Sequence, residues 1–318
     1  MNKLLILDDD AQIYEAELRK RNLPDLDIAI AEQLDEAEAH LAEVEIIFGK
    51  PALVAEIIDR ASCLKWVQST YAGVEQLCQP GLPRTYLLTG IKDLFGSFMR
   101  EYVFAYILAR ERSLIQTHQN QQQKIWSRIN YRSLAHTTMG VVGLGSIGRE
   151  IAKTARHFNM QVLGMTRTPE PIDSIDSIDC VDQLFMTNEI QDFLPPLDYL
   201  VLVLPDTNQS RHFITKKELG LMNPQAVLIN VGRGSSINQS DLVEALENER
   251  IGGAVLDVFE QEPLPAESPL WTMNNVMITP HNSAFSFPDQ VAEIFSSNYT
   301  LYISDTPLEY LVDFDRGY

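Results

Sequence analysis

Short apolar runs separated by amphipathic stretches set the pattern of the chain. Leu4–Leu7, Leu26–Ile30, Glu45–Phe48, Leu64–Val67 and Tyr86–Leu88 read as strands. Between them, Ala11–Lys20, Leu34–Leu41 and a stretch from Pro51 to about Arg60 carry the helical period. Pro51 suits the first turn of its helix, where the N–H that proline lacks would have no partner anyway. Gly73, Gly81 and Pro83 punctuate the connections. Strands alternating with helices predict a parallel sheet covered on both faces, so the first ~95 residues should form one small doubly wound unit.

A long helical pattern follows from Ser97 to about Gln122 (Met99, Val103, Tyr106, Ile107, Ala109, Leu114), ending in a polar stretch and leading to Trp126 and Tyr131. A hinge or dimer element and a solvated helix both fit it. A second alternating series then places strands at Met139–Val142, Val162–Met165, Tyr199–Leu204, Ala226–Val231, Ala254–Phe259 and Val276–Thr279. Tyr199–Leu204 is apolar throughout, as a strand buried on both faces should be. Helices are expected at Lys216–Met222 and at Asp241–Glu249 with Ser240 as N-cap. An acidic loop is expected at Pro169–Asp182, and the chain closes with a helical pattern at Val291, Ile294, Phe295 and Tyr299 and a polar tail.

The net charge of −19 over 318 residues changes the list of partners. Nucleic acid and anionic membranes need a basic face, so neither is expected. An anionic ligand must instead be met by a few placed cations or backbone N–H groups. Cys63, Cys78 and Cys180 are scattered without metal-ligand spacing, which points to a reducing compartment and to no metal site. The start is too short in apolar residues for a signal peptide, and no run approaches a membrane span, so a cytoplasmic location is expected.

Candidate chemistry begins at Thr138–Arg149. Its apolar run ends in Gly143-Leu-Gly145-Ser-Ile-Gly148, and a helical pattern follows at Ile151, Ala152, Ala155 and Phe158. Strand, glycine turn and helix start are the setting in which G-x-G-x-x-G signals a dinucleotide site. Gly143 allows the tight turn, Gly145 admits a pyrophosphate to the backbone, and Gly148 lets helix and strand pack closely. The N–H groups of Ser146, Ile147 and Gly148 at the helix start would hold the phosphates.

Ligands of open parallel sheets bind outside the carboxyl ends of the strands. Just beyond those ends lie Pro205, Asp206 and Thr207, then Gly232-Arg233-Gly234, then Glu262, then His281, with Val231 closing its own strand and Asp257 inside the last turn of its strand. An arginine, a carboxylate and a histidine beside a dinucleotide suggest carbonyl reduction. Arg233 can hold a substrate carboxylate bidentately. His281 can protonate the carbonyl oxygen, with Glu262 keeping the imidazolium loaded and oriented. The other histidines (His40, His118, His136, His157, His212) have no such setting.

The residue that meets the cofactor's adenosine ribose should lie about 20 residues into the unit, at the end of its second strand. There stand Thr166, Arg167 and Thr168, with no carboxylate to accept from a ribose 2′-OH. A guanidinium in that place favours NADP(H), and NAD(H) stays possible.

On these residues the chain resembles the D-isomer-specific 2-hydroxyacid dehydrogenase family. The resemblance runs through Ala72-Gly-Val74, Gly143–Gly148, Val231-Gly-Arg-Gly234, Leu256-Asp-Val-Phe-Glu-Gln-Glu-Pro263 and Thr279-Pro-His-Asn-Ser-Ala284. It implies that Arg233, Glu262 and His281 form the catalytic set and that backbone N–H groups around Ala72 and Gly73 bind the substrate carboxylate. It also implies that Asp257 meets the nicotinamide carboxamide, with a closing cleft and a homodimer. The expected architecture is α/β with two doubly wound domains. A Rossmann-type nucleotide-binding domain would span 98–284, and a smaller flavodoxin-like substrate domain would join 1–97 with 285–318.

Thr166-Arg-Thr168, Glu262–Trp271 and the ending Asp315–Tyr318 look like the glyoxylate/hydroxypyruvate reductase branch, which implies small 2-keto acids as substrates and D-2-hydroxy acids as products. Glu75 stands where the family has Asp, and Phe285 and Phe287 make the loop after His281 more aromatic than the family pattern. Lys50 and Trp126 are candidates to line the pocket, Trp126 from a partner subunit; surface or core roles are the alternative. Other functional readings are an NAD-linked D-lactate or 3-phosphoglycerate dehydrogenase and a non-catalytic dinucleotide-sensing protein.

Overall fold

The computed structural model describes residues 1–167 and 179–317, which form two compact units: 1–94 with 285–318, and 95–284. In the first unit, strands β1 (Asn2–Leu7), β2 (Leu26–Ala31), β3 (Ile46–Gly49), β4 (Trp66–Ser69) and β5 (Leu87–Thr89) form a parallel sheet in the order β2-β1-β3-β4-β5. That is the flavodoxin-like strand order. Leu5, Leu7, Ile47, Val67 and Leu88 share one buried cluster. Residues one step out of phase with them, Phe48 and Trp66, belong to the other face.

That second face is covered by α1 (Ala11–Lys20) and by the C-terminal helix Pro288–Ile303. Aromatic rings fill the space: Phe48 lies 4.9 Å from Tyr14 and 4.8 Å from Phe295, and Trp66 stacks on Phe295 at 5.1 Å and on Tyr302 at 5.4 Å. The tail read as polar returns to the sheet edge, where Val312 N–H donates to Leu88 O at 2.8 Å and Leu311 bridges Thr89 antiparallel. Among the described tail residues after Ile303 only Leu308 and Val312, four positions apart, are buried, so no apolar run marks this pairing in the sequence.

The second unit opens with two helices where the sequence pattern suggests one. Gly96–Glu111 (α4 after the short helices α2, Leu34–Ala37, and α3, Pro51–Ala55) and Leu114–Gln122 (α5) are separated by Ser113 in the left-handed region at φ 47°. Strands β6 (Thr138–Val142), β7 (Gln161–Thr166), β8 (Gln183–Met186), β9 (Tyr199–Leu202), β10 (Val227–Asn230), β11 (Gly253–Leu256) and β12 (Val276–Ile278) form a parallel sheet in the order β12-β11-β10-β9-β6-β7-β8. This is the Rossmann order with one strand added. Val142, Leu200, Leu202, Leu228 and Leu256 pack into one cluster, and Val141, Tyr199, Val201, Ile229 and Val255 into the opposite one.

Four local features differ from what the sequence pattern suggests. β8 was not foreseen, because on this edge strand only Phe185 is buried. Asn238, not Ser240, caps its helix: the Asn238 Oδ1 accepts from Asp241 N at 3.1 Å and from the Ser240 hydroxyl at 2.7 Å. The run Tyr199–Leu204 leaves the sheet at Leu202, and Asp257 lies just past the end of β11. Among the described residues no helix is long and apolar enough to cross a membrane.

Candidate active site

All strands of the second sheet are parallel, so their carboxyl ends share one edge. Its loops follow in the order of the strands: His281 beyond β12, Glu262 beyond β11, Arg233 beyond β10, Pro205–Thr207 beyond β9, the glycine turn beyond β6 and Arg167 beyond β7. The strand order reverses between β9 and β6, and ligands of doubly wound sheets bind at such a reversal.

The glycine turn has the geometry a dinucleotide needs. Gly143 adopts φ 96°, where a side chain would also fall 2.5 Å from Val203 O. A Cβ on Gly148 would lie 1.9 Å from Gly143 O, so only glycine lets the helix α6 (Ser146–His157) start this close to the turn. Above Gly145 the space is open, and Gly145 offers no side-chain acceptor to the first turn of α6. The amides of Ser146, Ile147 and Gly148 at that helix start therefore suit a pyrophosphate.

Farther along the edge, Thr166 ends β7 and the Arg167 guanidinium donates to the Gln209 side chain. Thr168 lies outside the described residues. The Pro205–Ser210 turn is knitted by Ser210, whose hydroxyl donates to Pro205 O at 2.5 Å and accepts from Thr207 N at 2.9 Å. Val231 is buried in the core, so only its backbone can face a ligand.

Arg233 sits in an extended conformation between two glycines, with its guanidinium donating to Gly232 O at 2.9 Å. Asn230, fully buried at the end of β10, shapes this loop: its side chain donates to Arg233 O at 3.0 Å and accepts from Gly232 N at 3.1 Å. Ser236 adds a hydroxyl bond to Arg233 O at 2.7 Å. A Cβ on Gly234 would overlap Phe259, which brings the Arg233 loop against the segment that leads to Glu262. Asn230 and Ser236 were not singled out from sequence, because a polar residue at a strand end has many uses.

Glu262 and His281 are paired. The Glu262 Oε2 meets the His281 Nδ1 at 2.8 Å, while Oε1 accepts from Phe259 N at 2.9 Å. Burial works against ionisation of Glu262, yet the bonds from His281 and Phe259 and the nearby Arg233 charge hold its carboxyl below the usual range. The hydrogen bond that His281 donates to Glu262 raises the His281 imidazole above its ordinary value, against burial and the Arg233 charge and with help from Asp257. With Nδ1 engaged, Nε2 is the nitrogen left for a reacting group.

Asp257 is fully buried, and its carboxylate anchors the histidine loop: Oδ1 accepts from Asn282 N at 2.9 Å and from the Thr279 hydroxyl at 2.5 Å, and Oδ2 from Ser283 N at 3.0 Å.

In the first unit, Lys50 follows β3 and Ala72 and Gly73 follow β4, on the carboxyl edge of that sheet. Lys50 is ion-paired with Asp9, and hydrogen bonding to that carboxylate raises its ammonium pKa. Buried Asp8 reaches across the end of β3 to accept from the Thr70 hydroxyl at 2.7 Å, and the Ser69 hydroxyl donates to Tyr71 O at 2.6 Å. Trp126 is fully exposed, and Phe285 and Phe287 are exposed as well.

Residues 104–283 match the family described as D-isomer specific 2-hydroxyacid dehydrogenase, NAD binding domain. A glyoxylate/hydroxypyruvate reductase A from Photorhabdus laumondii is 32% identical over 76% of this chain and 78% of its own length. A D-isomer specific 2-hydroxyacid dehydrogenase family protein from Aeromonas salmonicida superposes with a TM-score of 0.90 at 41% identity, covering 99% of both chains. An NADPH-dependent glyoxylate/hydroxypyruvate reductase from Sinorhizobium meliloti, solved with NADP and sulfate, gives a TM-score of 0.87 at 28% identity over 100% of both chains. The chain is thus an NAD(P)-dependent oxidoreductase that belongs to the D-isomer specific 2-hydroxyacid dehydrogenase family, on its glyoxylate/hydroxypyruvate reductase-like branch.

Proposed function

We propose that the protein reduces small 2-keto acids of the glyoxylate and hydroxypyruvate class to D-2-hydroxy acids, with NADPH as the favoured cofactor. The observation that carries this reading is the His281–Glu262 pair at 2.8 Å, on the same sheet edge as the open glycine turn. Gly143, Gly145 and the first-turn amides would hold the pyrophosphate. Pro205, Thr207 and the Val231 backbone would line the cofactor's course, and Asp257 would meet its carboxamide. A bound nicotinamide supplies the hydride.

Arg233 binds the substrate carboxylate as a fork of two N–H donors and draws charge toward the neighbouring carbonyl. His281 holds a proton at Nε2 and delivers it to the carbonyl oxygen, and Glu262 keeps that proton in place before the transfer. In the oxidising direction His281 takes the proton back. The first unit serves as the substrate domain, where backbone N–H groups around Ala72 and Gly73 bind the substrate carboxylate and Lys50 adds positive charge. Arg167, in the place where an NAD site would carry a carboxylate, supports NADPH over NADH, as does the NADP in the Sinorhizobium meliloti relative.

The segment around Trp126, with Leu114, Ile115, Ile125 and Tyr131 also exposed, supports a homodimer. Initial rates on glyoxylate, hydroxypyruvate, pyruvate and phenylpyruvate, each with NADPH and with NADH, test the proposal. Glyoxylate and hydroxypyruvate should lead with NADPH. Turnover of none of the four would sink it.

A further inference from the structure

We infer that Tyr102, on helix α4, is a positioning residue for His281, acting through Thr279 and Asp257; this rests on His281 being the acid of the proposed reduction. The residues form one continuous chain of hydrogen bonds within the second unit. The Tyr102 hydroxyl lies 2.6 Å from the Thr279 hydroxyl, which lies 2.5 Å from Asp257 Oδ1. The same carboxylate accepts from the backbone N–H groups of Asn282 and Ser283, and Asp257 O accepts from His281 N at 2.9 Å. Three consecutive amides, those of His281, Asn282 and Ser283, are thus held by one residue.

The direction of the chain follows from the chemistry of its groups. Thr279 has one hydroxyl proton and gives it to Asp257. The proton in the Tyr102–Thr279 bond must therefore come from Tyr102. Burial pushes the Tyr102 phenol well above its ordinary value, so it remains a donor at any working pH. Its ring is fixed against Tyr106 at a centroid distance of 4.8 Å.

The need for such a hold is visible in the backbone. His281 adopts φ 52°, a left-handed conformation that is costly for a side chain other than glycine and persists only where the surroundings impose it. Asp257 imposes it, and Tyr102 and Thr279 hold one of the Asp257 oxygens. The charged and titratable groups that act on His281 are Glu262, Arg233 and Asp257, and those that face Asp257 include Tyr102 and Tyr106. A loosened loop would weaken the Glu262 bond that keeps the imidazole protonated.

The test compares Tyr102→Phe, Thr279→Val, Thr279→Ser and the double variant Tyr102→Phe/Thr279→Val. Tyr102→Phe should lower kcat for glyoxylate about threefold to tenfold and leave NADPH binding within about twofold of the parent, since positioning residues act on the transition state. Thr279→Ser should keep most of the activity. The double variant should be no slower than Thr279→Val, because among the described residues the hydrogen-bonded route from Tyr102 to the loop runs through Thr279.

An NMR titration of the free protein gives a second readout, with the His281 signal identified by its loss in His281→Asn. The imidazole pKa should fall toward its ordinary value in Thr279→Val and by less in Tyr102→Phe. Parental kcat together with an unmoved His281 titration in Tyr102→Phe overturns the inference, and so do losses that multiply in the double variant. A parent that reduces no 2-keto acid overturns the proposed function instead, while the titration still decides whether Tyr102 positions His281.

Discussion

The two sheets share a parallel, doubly wound plan, yet their carboxyl edges are furnished differently. At the edge of the second unit, Glu262 pairs with a half-exposed histidine whose second ring nitrogen is left for chemistry, and buried Asn230 and Asp257 fix the loops on either side. At the edge of the first unit, Lys50 is ion-paired with Asp9, and the buried Asp8 carboxyl accepts from the neutral Thr70 hydroxyl. One edge holds its buried polar groups in the service of exposed ones. The other pairs its lysine with Asp9 and ties a buried carboxyl to a hydroxyl, and its proposed part in binding falls to the backbone of the loop after β4. The same parallel, doubly wound plan can therefore carry reactive side chains or a shaped main chain, according to where the polar residues find partners.

The sharpest test of this contrast is His281→Asn. It should lower kcat by about 10²- to 10⁴-fold, the usual weight of general acid catalysis, with NADPH affinity nearly unchanged. A loss below tenfold in steady-state assays would mean that the second edge does not supply the acid. Glu262→Gln comes next, with a loss of about 10- to 100-fold in kcat/KM near neutral pH and a change of pH profile. Reduction needs protonated His281, so its rate falls as pH rises through the imidazole pKa. Glu262 raises that pKa. Without the carboxylate, burial and the Arg233 charge act unopposed by it, so the decline should begin at lower pH in the variant. Profiles that overlay would remove Glu262 from the mechanism.

Much of this difference was legible in the sequence, for identifiable reasons. The glycine turn, Arg233, Glu262 and His281 each follow an apolar run, so a strand pattern alone puts them on one edge. The partners that hold them were not legible. Asn230, Ser236, Ser210 and Tyr102 are ordinary polar or aromatic residues whose use depends on long-range contacts; the 177 positions between Tyr102 and Thr279 leave no local signal. Breaks in periodicity were hidden in the same way. Ser113 splits a helical pattern by one backbone torsion, and β8 escapes notice because it buries a single side chain.

The first edge gives smaller effects. If it works through its backbone, Lys50→Met should raise KM for glyoxylate less than about fivefold, as expected when a cation already paired with a carboxylate is removed. A rise well beyond tenfold in the same assay would show that Lys50 leaves Asp9 for the substrate, and the contrast between the two edges would narrow.

Asp8 gives the smallest effect, one of stability. Burial raises its carboxyl pKa, against the bonds from Thr70 and Asp10 that favour the charged form. A carboxyl raised on folding binds its proton more tightly in the native state, so its contribution to stability is present at low pH and is lost as pH rises through the folded value. The neutral amide in Asp8→Asn has no proton to gain or lose over this range. Relative to that variant, the parent should therefore gain stability as pH falls from neutral through the raised Asp8 pKa toward the ordinary carboxylate range. Urea denaturation of both proteins across that interval measures the difference. A gap that stays constant would mean that the bonds from the Thr70 hydroxyl and the Asp10 amide fully offset burial of the charge, and one that widens in favour of Asp8→Asn on acidification would mean that they more than offset it.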